Sequence, residues 1–140
     1  MKHCIHDNKL TADDFIDLYV RVGWGEPDRE QVEAALKNSF ATFSVTDGER
    51  VIAMARLLGD GSMAFFLKDL IVLPEYQRLG TGRTLLSHVE NYIRSQLKEG
   101  WTARFQLVSA REKEGFYISC GYTQHPNKQS GAGFTKMITR

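Results

Sequence analysis

The stretch that decides the fold is LIVLPEYQRLGTGR, which runs from Leu70 to Arg83. Its first four residues are apolar and favour a strand, and Pro74 ends that strand because proline has no N–H for a sheet ladder. A turn containing Gly80 and Gly82 follows, and an amphipathic helix is predicted from about Gly82 to Lys98. The first turn of such a helix carries unpaired N–H groups and attracts phosphate.

Three strands are predicted around and before this stretch, over Phe40–Thr46, Val51–Leu58 and Met63–Leu73. The Asp47-Gly48 pair is a strong hairpin signal between the first two strands. A second turn, Gly59-Asp60-Gly61, separates the second strand from the third. The pattern therefore predicts an antiparallel meander that leads into the glycine turn.

Two helices are predicted before the meander. Thr11 is positioned to cap a helix that begins near Ala12, and Asp28 with Gln31 forms a capping-box pattern for a second helix. The glycine- and proline-containing segment Gly23–Asp28 separates them.

After the long helix, a strand is predicted at Thr102–Val108 and a short helix at Glu112–Ser119, which Gly121 ends. Phe134–Thr139 is predicted as a terminal strand. The element order indicates an α/β (α+β) fold with a mixed, mostly antiparallel central sheet flanked by helices. A length of 140 residues suits one domain over residues 1–140.

The composition excludes several broad classes of protein. The formal net charge is +1, so no general field favours nucleic acid. No apolar run approaches the roughly 20 residues of a membrane span, and the N-terminus has no apolar leader, so we expect a cytoplasmic protein. His3, Cys4 and His6 lie in an N-terminus expected to be flexible, which is a poor preformed metal site, so no metal is expected. Cys4 and Cys120 are expected to be reduced thiols.

The glycine turn is compatible with more than one phosphate ligand. A P-loop needs a Gly-Lys-Ser/Thr sequence, which is absent, and a dinucleotide fingerprint needs a small residue where Leu85 stands. Arg78 and Arg83 add positive charge beside the turn. An ordinary structural turn is the remaining alternative at this point.

Two segments resemble the GNAT superfamily of acyl-CoA-dependent N-acyltransferases. The segment Gln77–Gly82 is similar to the Arg/Gln-x-x-Gly-x-Gly/Ala signature of the family, and Val72–Tyr76 is similar to the strand ending that precedes it. Phe116–Tyr122 resembles the family's hydrophobic-Tyr-x-x-x-Gly-Phe segment, with Tyr122 in place of the final Phe. The two matches lie in the family's order, and the resemblance extends from Leu10 to Arg140.

The resemblance implies an acetyl-CoA-dependent N-acetyltransferase in which a primary amine attacks the thioester directly. It implies that a strand backbone pairs with the pantetheine arm at Leu70, Ile71 and Val72, where an N–H near Ile71 or Val72 stabilises the thioester oxygen. It also implies that a cradle holds the diphosphate, formed by Arg78, Leu79, Gly80, Thr81, Gly82 and Arg83. Tyr117 matches the tyrosine that protonates the departing thiolate, although packing on a helix face is its simpler interpretation. Members of the family often dimerise through their C-terminal strands, so the resemblance also implies a homodimer.

The acceptor side of the site is less determined. Glu26 borders the region where the resemblance implies the acceptor, so it is a candidate to bind or deprotonate an amine. Asp69 lies among apolar strand residues, where it is either a structural carboxylate or a base. Ala110 stands where many family members have an Asn that binds pantetheine, which leaves Ser109 as a substitute. The alternatives are therefore a weakly catalytic acyl-CoA sensor, a protein N-terminal or lysine acetyltransferase, or a nucleotide-binding regulator.

Overall fold

A computed structural model describes residues 3–140 of the chain. Its elements, in chain order, are β1 His3–Asp7, α1 Ala12–Arg21, α2 Arg29–Lys37, β2 Ala41–Asp47, β3 Arg50–Gly59, β4 Ala64–Val72, a 3-10 turn Pro74–Tyr76, α3 Thr81–Gln96, β5 Arg104–Leu107 and α4 Glu114–Ser119. The chain forms two compact units, of which the first ends at Leu107 and the second begins at Val108.

The first unit contains one five-stranded sheet in the order β1-β2-β3-β4-β5. The first four strands pair antiparallel, and β5 pairs parallel to β4 after the crossover through α3. A parallel neighbour requires such a crossover, because a short turn returns the chain only in the antiparallel direction. The predicted mixed, mostly antiparallel sheet with flanking helices is confirmed.

His3–Asp7 form strand β1, so the expectation that His3, Cys4 and His6 lie in a flexible segment is wrong. His3 lies opposite Asp47 and Asp7 lies opposite Phe43 in the antiparallel ladder between β1 and β2. The His6 ring contacts the Thr46 hydroxyl at 3.0 Å. A short polar edge strand has little hydrophobic alternation, and its order comes from the neighbouring strand, which local sequence does not reveal.

The predicted terminal strand over Phe134–Thr139 is also wrong. Residues 131–140 contain no strand, and the side chains of Phe134, Met137 and Ile138 are 96%, 85% and 89% exposed. Their composition favours a strand, but a strand needs a ladder partner, and composition does not supply one.

Both predicted helix caps are confirmed. The Thr11 hydroxyl accepts a hydrogen bond from the Asp14 N–H at 3.1 Å, and the Asp28 carboxylate accepts one from the Gln31 N–H at 2.9 Å. Removing such a cap typically costs about 1 kcal/mol of stability. The caps fix where α1 and α2 begin, and so they place the Gly23–Asp28 segment between the two helices.

Strand β3 is the centre of the core, since Ile52, Met54 and their alanine neighbours are fully buried. Successive side chains of a strand point to opposite faces of the sheet. One face packs on α3, where Phe43 makes edge contacts with Tyr92 and His88. Helix α3 buries Leu85, Leu86, Val89 and Ile93. Each such side chain stabilises the fold by roughly 1.5–3 kcal/mol, and this anchors the N-terminal end of α3 beside the sheet.

Candidate active site

Strands β4 and β5 separate near the middle of β4. Their parallel ladder joins Ala64–Leu67 to Arg104–Leu107, whereas β4 continues to Val72. The segment Lys68–Val72 therefore lies beyond the end of this ladder. A strand edge of this kind offers backbone groups to an extended ligand, which then pairs like an added strand.

A β-bulge lies at the point of separation. The register between β3 and β4 passes from Arg56 opposite Lys68 to Met54 opposite Ile71, so one residue of β3 faces both Asp69 and Leu70. Asp69 has a φ of 57°, in the left-handed region that Asp tolerates better than most residues. The bulge turns the following residues of β4 and is a local feature of the kind found beside functional sites.

The backbone of Val72 faces away from β3. The Leu73 N–H donates to the Ile52 carbonyl at 2.9 Å, which makes this opposite pair a hydrogen-bonded one. Antiparallel pairs alternate, so the next pair, Val72 with Ala53, has no hydrogen bonds between its members. The Val72 amide and carbonyl consequently point to the edge beyond the β5 ladder, and those of Ile71 point to β3.

Asp69 is held by an arginine that local sequence patterns did not indicate. The Arg56 Nε lies 2.9 Å from the Asp69 carboxylate, and the two side chains are only 15% and 9% exposed. Arg56 also reaches the Ser39 hydroxyl at 3.5 Å. Burial raises the pKa of nearby Tyr19, and the Asp69 charge raises it further while Arg56 lowers it. The carboxylate is thus paired and largely removed from water, an arrangement typical of a structural ion pair.

The glycine loop follows the 3-10 turn and leads into α3. Arg78 has a φ of 63° and Gly80 has a φ of 86°, so two residues of the loop are left-handed. Gly80 is the N-cap of α3 and accepts the Thr84 N–H at 3.0 Å, while Thr81 is buried. A left-handed arginine is strained by roughly 1–2 kcal/mol, and such strain concentrates at functional sites. The unpaired N–H groups of the first turn of α3 and the positive end of its dipole therefore lie at this loop.

Side chains also fasten this loop to the sheet. The Tyr76 hydroxyl donates to the Asp47 carboxylate at 2.7 Å, and Arg50 pairs with Glu75 at 2.9 Å. The Gln77 side-chain amide donates to the Val72 carbonyl at 2.8 Å. Gln77 belongs to the quoted signature, but its pattern did not predict this contact.

Tyr117 lies on α4, in the second compact unit. Its ring contacts those of Phe116 and Tyr122, with centroid separations of 5.1 Å and 6.0 Å. Burial, with a smaller contribution from Cys120, raises the pKa of Tyr117 to about 12. The phenol therefore keeps its proton at neutral pH, as a general acid must. In the same unit, the Ser109 hydroxyl donates to the Ala110 carbonyl at 2.6 Å.

Glu26 lines an open groove of about 810 Å³ between α1 and α2. Four acidic residues line this groove with a single arginine, and all the lining residues are Asp13, Ile16, Asp17, Val20, Glu26, Pro27, Asp28 and Arg29. Arg29 pairs with Asp13, and Asp28 caps α2, whereas Glu26 takes part in none of the ion pairs found in residues 3–140. Trp24 lies next to the groove segment and packs edge-on against Tyr19 at 5.2 Å.

Within the part of the chain that the structure describes, no three His, Cys, Asp or Glu side chains are grouped as metal ligands. Cys4 is exposed and Cys120 half-buried, and both are free thiols. Among the same residues, no helix combines the length and apolar character that crossing a membrane requires.

Comparison with known proteins identifies the family. A family model described as "Acetyltransferase (GNAT) domain" matches residues 38–124. A GNAT-family acetyltransferase from Streptococcus pneumoniae has a similar structure, with a TM-score of 0.82, 30% identity, and coverage of 99% of this chain and 100% of that one. A probable acetyltransferase from meticillin-resistant Staphylococcus aureus also has a TM-score of 0.82, at 26% identity, with 97% and 100% coverage.

A chloroplastic GCN5-related N-acetyltransferase 1 from Arabidopsis thaliana is 27% identical over 129 residues, which cover 91% of this chain. The chain spans 64% of the length of that relative. The family match includes the open end of β4, the glycine loop and the Tyr117 segment. The chain is therefore a member of the GNAT acetyltransferase family.

Proposed function

We propose that this chain transfers an acetyl group from acetyl-CoA to a primary amine, most simply that of a small molecule. The observation that carries the proposal is the end of β4 beyond the β5 ladder, which runs directly into a glycine loop at the N-terminus of α3. An extended arm with amides followed by a diphosphate matches this order of backbone edge and anion site. Membership of the GNAT family supports the same donor.

In this proposal the pantetheine arm lies along Leu70–Val72 and the diphosphate at Arg78–Arg83. Exposed Arg78 and Arg83 add charge to the loop amides, and Gly80 and Gly82 allow close approach of the backbone. No metal takes part in binding the donor. The diphosphate charge is offset by the arginines and the helix terminus.

The reaction needs a neutral amine and a protonated leaving group. An alkyl amine with a pKa near 10.4 is only about 0.04% neutral at pH 7, so a base must remove its proton. We propose that Glu26, or a water molecule beside it, accepts this proton, because the Asp69 carboxylate is already paired with Arg56. The amine nitrogen then bonds to the thioester carbon and releases its second proton to solvent, while the C–S bond breaks and the Tyr117 phenol gives its proton to the sulfur. Solvent returns the proton to Tyr117.

The acidic groove beside Glu26 favours a cationic acceptor. A small polyamine or amino sugar fits this charge, and a protein N-terminus or lysine is the alternative that the same charge allows. We keep the cytoplasm as the proposed compartment and a homodimer as the proposed assembly. Neither assignment affects the chemistry above.

A second candidate is a sensor that binds acyl-CoA with little turnover. Ala110 in place of the family's Asn favours it, because the Ser109 hydroxyl is already bonded to the Ala110 carbonyl. A thermal-shift comparison of CoA with ATP and NAD tests donor identity, since a ligand at 100 times its Kd adds about 2.7 kcal/mol of stability. Stabilisation by ATP or NAD in place of CoA would contradict both candidates.

Release of free thiol from acetyl-CoA in the presence of an amine panel then separates enzyme from sensor. We expect Tyr117→Phe to lower kcat roughly 100-fold, a typical effect of losing a general acid, with the Kd for CoA unchanged. Equal kcat in the variant and the wild type would remove Tyr117 from the mechanism. Tight CoA binding without thiol release on any amine or peptide would favour the sensor.

A further inference from the structure

Gln77 links the two parts of the proposed donor site. We propose that Gln77 is a positioning residue, which fixes the distance between the pantetheine edge of β4 and the diphosphate loop. The inference rests on the proposed function, which assigns the pantetheine arm to the edge of β4 and the diphosphate to the glycine loop. It concerns the side chain of Gln77, whose amide contacts the strand while its backbone continues into the loop.

The contact changes what β4 offers to a ligand. The Val72 backbone faces the edge beyond the β5 ladder, and its carbonyl already accepts the Gln77 amide at 2.8 Å. A peptide carbonyl has two lone pairs, but the side chain of Gln77 covers one approach to it. At this position the strand therefore presents its N–H as the principal group for a ligand. An acceptor on the pantetheine arm, an amide carbonyl, is the matching chemistry.

The contact also spans a tight reversal of the chain. Between Val72 and Gln77 the Tyr76 N–H donates to the Leu73 carbonyl at 2.8 Å, and the Gln77 N–H donates to the Pro74 carbonyl at 3.2 Å. The side chain of Gln77 closes this turn by returning to the strand. Arg78, whose backbone is left-handed, follows Gln77 directly. The loop therefore begins at a residue whose position is fixed by the contact between Gln77 and the strand.

A ligand that binds two segments at once is sensitive to their separation. The second contact forms at an effective concentration set by how rigidly the segments are joined, and this concentration falls when the link loosens. A fragment that binds only one segment has no such dependence. The role of Gln77 is thus expected to appear with intact CoA and not with its nucleotide half.

The test measures the affinities of the full-length wild-type chain and Gln77→Met for CoA and for 3′-phospho-ADP by calorimetry. Methionine preserves the length of the side chain and removes the amide donor. We expect the Kd for CoA to rise about tenfold, or about 1.4 kcal/mol, and the Kd for 3′-phospho-ADP to change less than about twofold. Gln96→Ala, at an exposed glutamine of α3, is the matched control and should change neither affinity.

Equal weakening of both ligands would show that Gln77 only maintains the loop, and an unchanged Kd for CoA would show that it does nothing; either result overturns the inference. If Gln77→Met does not fold, Gln77→Asn keeps the amide but is too short to reach Val72, and the same split between ligands is expected. A wild type that binds no CoA refutes the proposed function itself. A wild type that binds CoA as tightly as its Gln77 variants refutes only the role of Gln77.

Discussion

Burial keeps the Tyr117 phenol protonated, and the proposed proton transfer to the leaving thiolate requires this state. Its folded pKa of about 12 lies above its ordinary value of 10.0, chiefly because burial disfavours the phenolate. The folded state therefore binds more protons than the unfolded state between pH 10 and 12. The stabilising contribution is complete below pH 10 and is lost as pH rises through this window.

This sign gives a pH-dependent prediction. We expect the wild type to lose more unfolding free energy than Tyr117→Phe when pH rises from 9 to 11.5, as measured by urea denaturation. Tyr19 and Tyr76 also have raised pKa values, but they are present in both proteins and cancel in the comparison. A difference between the two proteins that does not vary with pH would contradict the assigned pKa of Tyr117.

Arg78 combines a strained backbone with a charge placed in the proposed cradle. We expect Arg78→Gly to raise the unfolding free energy by about 1 kcal/mol, because glycine adopts the left-handed conformation without strain. The same change should weaken CoA binding severalfold by removing a guanidinium.

Arg78→Ala is the matched control for this pair of effects. It removes the same charge but keeps a Cβ in the left-handed position, so we expect the loss of CoA affinity without the gain in stability. Thermal unfolding and calorimetric Kd values measure the two quantities separately. If both variants bind CoA like the wild type, Arg78 is not part of the cradle.

Among the elements, β4 has the most distinctive geometry. The bulge at Asp69 lies between the half of β4 that pairs with β5 and the half that continues beyond the β5 ladder. The Arg56–Asp69 ion pair lies at this bulge with little exposure to water. We expect Arg56→Met to destabilise the protein by about 3–5 kcal/mol, since it leaves a buried carboxylate without a partner.

Asp69→Asn should cost less, because asparagine also tolerates the left-handed conformation and is uncharged. The double variant Arg56→Met with Asp69→Asn should recover much of the loss caused by Arg56→Met alone, as measured by urea denaturation. A loss below about 1 kcal/mol in Arg56→Met would contradict the buried pair and would restore Asp69 as a candidate base.

Elements with a strong local signal were predictable from the sequence. The caps at Thr11 and Asp28 and the apolar face of α3 depend on residues within a few positions of each other. β1 was not predictable, because its order comes from pairing with β2 across about 40 residues of sequence. The partnership of Arg56 with Asp69 has the same origin, since it exists only in the ladder between two strands.

The candidate site likewise has one part that the sequence predicts and another part that it does not. The glycine loop is visible in the sequence because the amino acid types themselves, two glycines after a strand, determine its backbone. The Gln77 contact with Val72 and the direction of the Val72 amide depend on strand register. Register is a property of the assembled sheet, so a family signature indicates these residues without giving their contacts.

At the scale of the whole molecule, the exposed C-terminal segment leads to a prediction about assembly. Phe134, Met137 and Ile138 are almost fully exposed and lie within five residues of one another, whereas exposed apolar side chains that need no explanation are scattered singly. We expect the chain to form a homodimer that buries these residues, with a mass near twice 15.9 kDa in light scattering after size exclusion.

Serine at all three positions should give a monomer, because each buried side chain contributes roughly 1.5–3 kcal/mol to the association. Lys136→Ala, within the same segment, should leave the dimer intact. A wild-type chain that is monomeric at 100 µM, or a triple variant that still dimerises, would show that the C-terminal segment is not the contact.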